Sequence, residues 1–360
     1  MGFATGAPAG GTTTTTRTAA APGPAVQAPT AQGPTTQGPA AQGPTPQAPT
    51  AQALTAARGV LGIDIGGTKV ALRAEDGPPG GPVRTEEAVL RWPGARVAGA
   101  YADWTALAGT VADLRERWEG DFAAVGVAVP ATLGPDGRVL AWPGRPDWRG
   151  FDLVPALRRL FPAAALAWAD DGDLAALAEA VHAGSGHVVY LGVGTGVGGG
   201  VVHGGAPLPG PGRGSCEAGH LIVDRRGPVC DCGRRGCLQA TASGPATLRR
   251  AELLRGAPVE YPELRSGLAE GAPWAVEAVE ETCAALAAAA VSLGELFHPE
   301  LTVLGGGFAD GLPGFTARVE AHAAALARPG GPVPAIRPAV LGGLSSLHGA
   351  LALARLQPAA

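Results

Sequence analysis

The chain has 360 residues, five of them cysteine, and a formal net charge of −4. That charge gives no general attraction to nucleic acid, and no charge-free apolar run reaches membrane-spanning length, so a soluble protein without nucleic-acid or membrane partners is expected. The cysteine usage fits metal binding in a reducing cytoplasm better than a disulfide framework.

Residues 1–57 are dominated by Ala, Pro, Thr, Gly and Gln, with Arg17 the one charge before Arg58. A five-residue period (Q-A-P-T-A, Q-G-P-T-T, Q-G-P-A-A and so on) runs from Gln27 to Ala56. So few large apolar side chains cannot build a core, and a disordered low-complexity tail is expected. The tract has no basic region followed by a continuous apolar stretch and does not read as a secretory signal. The remainder is long enough for two lobes.

Val60 to Ile65 reads as a strand, broken by Gly66-Gly67 and resumed over Lys69 to Arg73. Residues 99–118 carry Leu and Val at helical spacing, and Phe122 to Val129 reads as a buried strand closed by Pro130. A helix over Asp152 to Leu160, a strand over Ala163 to Ala169 and a helix over Asp173 to His182 with an acidic cap follow. A second Gly-broken strand pair spans His187 to Val202. Trp274 to Leu296 is a long Ala-rich helix, Leu301 to Leu304 a strand, and Ser345 to Leu356 the closing helix. Two strand–Gly-turn–strand units, each followed by helices and strands, predict two related α/β lobes. The first takes 58–172 with the helix at about 345–357, and the second takes 173–344. A doubly wound nucleotide-binding sheet is the competing arrangement, but neither turn reads G-x-G-x-x-G leading directly into a helix.

Three clusters carry chemistry. His220, Cys230, Cys232 and Cys237 supply three thiols and an imidazole, the donor set of a closed structural zinc shell. Gly233 and Gly236 let that loop turn tightly. Gly66, Gly67 and Thr68, flanked by Asp64 and Lys69, form one candidate phosphate loop, although a glycine pair alone also serves as a plain hairpin turn. Gly194, Thr195, Gly196 and Gly198–Gly200 form a second, or a flexible bulge. Asp170-Asp171, taken alone, reads as a helix-capping pair.

E-x-G-H at Glu217–His220 followed by C-x-C-G-x-x-G-C-L resembles the signature of the ROK family (repressor, open reading frame, kinase). The other landmarks stand in order: L-G-I-D-I-G-G-T-K at 61–69, D-D-G-D-L-A-A-L-A-E at 170–179, L-G-V-G-T-G-V-G-G-G at 191–200 and V-L-G-G-G at 303–307. The resemblance implies a two-lobed ribonuclease-H-like fold of the actin, Hsp70 and hexokinase kind, with a cleft between lobes. It also implies an ATP-dependent kinase using Mg²⁺ with the nucleotide and structural Zn²⁺. In that frame Asp64 helps position the magnesium, through water. Gly66, Gly67, Thr68, Lys69, Thr195 and Gly196 hold phosphates, and Gly305, Gly306 and Gly307 lie against the adenosine. Asp171 is the base that takes the acceptor proton. Asp170, Glu217, His220 and Gln239 line the acceptor, His220 serving the zinc as well.

Two positions depart from the family pattern: Asp170 stands where Asn is usual and Gln239 where Glu is usual. The segment 143–150 resembles the sugar-side loop, with Asp147 outside the usual pattern. A carboxylate has moved within the pocket, and adjacent Asp170 and Asp171 favour protonation of one or donation from the ligand. The expected activity is phosphorylation of a hydroxyl on a hexose, N-acetylhexosamine, carbasugar or C7-cyclitol by a dimer or tetramer. The alternatives are a sugar-responsive regulator lacking its own DNA-binding domain and a non-catalytic sugar-binding protein.

Overall fold

The computed structural model describes residues 59–77, 83–92, 99–142, 144–210, 213–331 and 335–358. The expected low-complexity tail lies outside them. The fold rests on two five-stranded sheets of the same design. In the first, β1 (Val60–Ile65) pairs antiparallel with β2 (Lys69–Asp76), which pairs antiparallel with β3 (Arg84–Arg91). On its other side β1 runs parallel to β4 (Ala124–Ala128), and β4 parallel to β7 (Ala165–Ala169). A short hairpin of β5 (Thr132–Leu133) and β6 (Val139–Ala141) lies between them in sequence.

The second sheet repeats the scheme. Strand β8 (Val188–Val193) pairs antiparallel with β9 (Val197–His203), and β9 with β10 (Ala206–Leu208). Parallel partners β11 (Leu301–Gly305) and β12 (Ile336–Pro338) complete it. Strands β1, β4 and β8 read as nearly continuous apolar runs because both faces are covered. This duplicated architecture is the ribonuclease-H-like fold expected from the sequence.

Helices α1 (Gly99–Trp118) and α2 (Leu153–Leu160) supply Leu107, Leu114, Leu153 and Leu157 to the core of the first sheet. Helices α4 (Leu238–Ala242), α5 (Gly244–Arg255), α6 (Tyr261–Glu270), α7 (Pro273–Phe297) and α8 (Phe315–Ala325) cover the second. Helix α3 (Asp171–Ala183) packs on β8 and β9, while α9 (Ser345–Arg355) packs on both α3 and strands β1 and β4. The junction is close. A Cβ on Gly126 would sit 1.9 Å from the Ala350 carbonyl oxygen, and one on Gly349 would sit 1.9 Å from that of Leu174. Only glycine lets these backbones touch. No helix among the described residues is long and apolar enough to cross a membrane.

Candidate active site

Helix α3 begins two residues earlier than its apolar spacing suggests. The Gly172 N–H donates to Asp170 Oδ1 at 3.0 Å, so Asp170 is the N-cap and Asp171 opens the first turn. Ser346 Oγ of α9 donates to the Asp171 carbonyl oxygen, and the Cys216 N–H donates to Asp173 Oδ1 at 3.2 Å. These bonds tie the head of α3 to α9 on one side and to the segment preceding Glu217 on the other. Buried Glu179, further along α3, accepts from the Val340 and Leu341 N–H groups and from Ser345 Oγ, which fixes the start of α9.

Around the head of α3 carboxylates accumulate. Burial and the neighbouring Asp171 carboxylate push Asp64 up to about 6, with Lys69 pulling the other way. Burial, reinforced by Asp171, Asp173 and Glu217, pushes Asp170 up to about 8 against the opposing Gly172 N–H. Burial likewise raises Asp171, against hydrogen bonds from Gly172 and Asp170. Asp173 rises to about 7 through burial, with Glu217 and Asp171 adding to it and the Cys216 N–H opposing. The charge on Glu217 therefore bears on Asp170, Asp171 and Asp173; its own Oε1 accepts from Ser215 Oγ at 2.8 Å. Several carboxylates are brought together here, and Lys69 is the one cation acting on Asp64. A group of this kind holds protons itself or receives positive charge from a ligand.

The two glycine turns flank the head of α3 in sequence and differ in build. In the first, the Gly66 N–H donates to the Lys69 carbonyl oxygen at 2.9 Å, closing the β1–β2 turn. The N–H groups of Gly67 and Thr68 have no backbone carbonyl partner among the described residues. In the second, the Gly194 N–H donates to Gly196 O, and Gly194 O accepts from the Gly244 N–H, both at 2.9 Å. Gln239, on the first turn of α4, directs its Oε1 at this turn, where it accepts from the Val197 N–H. Beside Thr195 a cavity of about 350 Å³ opens, lined by Pro245, Leu248, Tyr261, Gly307 and Phe308. Its wall is braced by a Tyr261 hydroxyl bond to the Phe308 carbonyl oxygen, with the rings 5.1 Å apart. An apolar, aromatic slot next to a glycine turn suits a purine placed beyond its phosphates.

The metal cluster is preformed. The donor atoms of His220, Cys230, Cys232 and Cys237 all lie within 4.8 Å of one another. Cys232 Sγ stands 3.6 Å from Cys237 Sγ, and Cys230 Sγ 3.7 Å from His220 Nδ1. Tetrahedral bonds of about 2.3 Å to sulfur and about 2.1 Å to nitrogen put ligand atoms roughly 3.6–3.8 Å apart, so the residues fit zinc. Gly236, at φ +76°, packs where a Cβ would stand 1.5 Å from the Asp224 carbonyl oxygen. Bridges Ile222–Cys237 and Val229–Arg235 fold the loop back on itself. With Nδ1 turned to the thiols, His220 keeps Nε2 for other partners, and the short helical turn 218–220 links it to Glu217.

The expected residues therefore fall into four neighbourhoods: Asp64, Asp170, Asp171 and Glu217 in the acid cluster; Gly66, Gly67, Thr68 and Lys69 at the first turn; Thr195, Gly196, Gln239 and Gly307 at the second turn and its cavity, with Gly305 and Gly306 leading out of β11 to Gly307; His220 with the cysteines. Asp173, Pro245, Leu248, Tyr261 and Phe308 were not expected. Asp173 stands in the same D-D-G-D run, and the Ser243 cap ahead of Gly244-Pro245 is a helix-start signal.

Comparison with known proteins identifies the family. The family model "ROK family" matches residues 60–357. The chain is 56% identical over 297 residues to a kanosamine kinase from Amycolatopsis mediterranei, covering 82% of this chain and 96% of that protein. Its structure aligns with the ROK hexokinase from Thermus thermophilus at a TM-score of 0.74 and 32% identity, covering 83% of this chain and 98% of that one. It also aligns with a ROK family glucokinase from Streptomyces griseus in complex with glucose and AMPPNP, at a TM-score of 0.64 and 27% identity, covering 83% and 100%. The chain belongs to the ROK family, and it is one of that family's sugar kinases.

Proposed function

We propose that the protein transfers the γ-phosphoryl group of ATP to a hydroxyl of an amino sugar of the kanosamine kind. The observation that carries the amino-sugar reading is the acid cluster at the head of α3, where Asp170 adds a carboxylate to Asp171, Asp173 and Glu217. An ammonium group on the acceptor supplies the positive charge that this half-buried cluster lacks. It draws Asp170 into its ionised form and forms a charge-assisted hydrogen bond. The 56% identity to a kanosamine kinase supports the same class, and it favours phosphoryl transfer over sugar-responsive regulation or binding alone.

Asp171 accepts the proton of the attacking hydroxyl, held in place by α9 through Ser346. The N–H groups of Gly67 and Thr68 on one side and of Thr195 and Gly196 on the other face the phosphates, and Lys69 adds positive charge. Adenine lies in the Tyr261–Phe308 cavity, beside Gly305–Gly307. Asp64 suits a water-mediated contact to Mg²⁺; when bound, that ion neutralises charge on the transferred phosphoryl group. His220, Cys230, Cys232 and Cys237 would hold a structural zinc, which would brace the loop that carries Glu217 and His220. The lobes are assigned as 58–172 with α9 and 173–344; the two separate sheets support the division, and a core cluster built on α3 and α9 joins them.

An ADP-release assay across kanosamine, glucose, N-acetylmannosamine and cyclitols tests the reading. The expected result is a kcat/KM for kanosamine at least tenfold above that for glucose at pH 8. A neutral hexose or cyclitol preferred over every amino sugar would overturn the substrate class.

A further inference from the structure

The first phosphate turn is gripped from behind by a side chain outside the glycine motif. Trp92, buried at the end of β3, donates its Nε1–H to the Gly66 carbonyl oxygen at 2.8 Å, and its backbone N–H to that of Thr68 at 3.3 Å. The Trp92 ring is held in turn. The Arg145 guanidinium lies 4.7 Å from its centroid, and Trp148 meets it edge-on at 5.8 Å. Arg145 and Trp148 converge on Asp103 of α1, with Arg145 Nη1 at 3.4 Å and the Trp148 Nε1–H bond at 3.0 Å, both to Oδ2. Asp103, Arg145 and Trp148 are at most 6% exposed. A buried ion pair and two indoles therefore stand behind a two-glycine turn that has no side chains with which to hold itself.

We propose that Trp92 is a positioning residue for phosphoryl transfer, aiming the Gly66–Gly67 peptide at the nucleotide. The peptide unit is planar and trans, so the Gly66 C=O and the Gly67 N–H point in opposite directions. Fixing the oxygen on the indole turns the Gly67 N–H away from the core, toward the side where phosphate approaches. Without the indole donor that peptide can rotate at little cost, because glycine tolerates both signs of φ. The site then loses a preorganised donor. Because Arg145 and Trp148 belong to the segment on the acceptor side, the same contact gives the acceptor loop and the phosphate turn one shared support.

The inference rests on reading 66–68 as a phosphate loop, and its test separates the two. Affinity for MgAMPPNP, without acceptor, is measured by calorimetry for the wild type, Trp92→Phe and Trp148→Phe, alongside melting temperature, kcat and acceptor KM. Trp92→Phe keeps an aromatic ring under Arg145 and removes the N–H. It should weaken nucleotide binding about threefold to tenfold, the worth of one net hydrogen bond, while acceptor KM stays within about twofold. Trp148→Phe makes the same chemical change in the same cluster, but its N–H serves Asp103 rather than the turn, so nucleotide affinity should not move. Wild-type affinity in Trp92→Phe, or equal losses in both variants, would overturn the proposal. Failure of the wild type to bind MgAMPPNP would overturn the kinase reading itself. Should Trp92→Phe not fold, Arg145→Lys reads the same support, since Lys keeps the charge and loses the planar group over the indole. A twofold or greater loss of nucleotide affinity upholds the link; unchanged affinity removes it.

Discussion

Asp170→Asn removes one carboxylate from the acid cluster while leaving the helix cap in place, because Asn caps as well as Asp and retains an oxygen for the Gly172 N–H. Its first effect is on acceptor choice. A hydrogen bond to a charged partner contributes about 1.5–3 kcal/mol, so kcat/KM for an amino sugar should fall about 10–150-fold relative to a neutral hexose. The loss depends on pH in a definite direction. Asp170, pushed up to about 8, is mostly protonated in the free protein at pH 7 and must ionise to receive an ammonium. Wild-type preference for the amine should therefore grow by at most about fivefold from pH 7 to pH 8, less whatever fraction of the acceptor ammonium loses its proton over the same range, and the Asn variant should lose that rise. The second effect is on stability. A carboxyl group whose pKa is raised from 3.8 to about 8 holds, between those values, a proton that the unfolded chain has released. Its contribution thus declines as pH rises through that window. Thermal scans of the ligand-free protein should show the Asn variant gaining on the wild type from pH 5 to pH 8. An unchanged amine-to-hexose ratio, together with a pH-independent difference in melting temperature, would refute the reasoning.

Asp171→Asn is nearly isosteric but cannot take the acceptor proton; kcat should drop roughly 10²–10⁴-fold with MgAMPPNP affinity little changed, as read by steady-state kinetics and calorimetry. The purified chain should contain about one zinc, and Cys232→Ser should lower metal content, melting temperature and acceptor affinity together; elemental analysis alongside a thermal scan checks this. Gly126→Ala forces a Cβ onto the Ala350 carbonyl, so α9 must lift from β4. That should cost at least about 1–3 kcal/mol in denaturant unfolding, the range of overpacked cores.

The elements legible in the sequence are those whose pattern records full burial. Strands β1, β4 and β8 and the Ala-rich α7 read directly, since both faces or one long face lie against other elements. Strand β3 did not: R-T-E-E-A-V-L-R is a half-exposed edge rich in charge, and its pairing with β2 is fixed by register rather than by apolar content. Helices α5 and α6 carry many charged residues and were missed for a similar reason. The His220 and cysteine cluster is readable because its three cysteines fall within eight positions and their chemistry is narrow. The cavity beside Thr195 is not, because Tyr261 and Phe308 meet across 47 residues of sequence and neither belongs to a glycine motif. Trp92 escaped notice likewise, since an indole at the end of an edge strand announces nothing until its N–H is seen on Gly66. Asp170 stands out in the sequence as a departure in a motif, and only the fold gathers Asp171, Asp173 and Glu217 around it.

The position of α9 has a consequence for how the molecule is made. Its Ala350, Leu351 and Ala354 cover the face of β1 and β4, and Arg355 pairs with Glu75 across a sequence separation of 280 residues. During synthesis at about 5–20 residues per second, strands 60–65 and 124–128 can pair with their neighbours long before the helix that shields their glycine groove exists. For that interval the first sheet presents an uncovered apolar face, the kind of surface that invites association between nascent chains. Arrival of residues 345–355 closes this face and, through Ser346, seats the head of α3, where the proposed base Asp171 lies, in the same event. Acquisition of the catalytic geometry is thereby placed late in folding, coincident with the protection of the earliest strands.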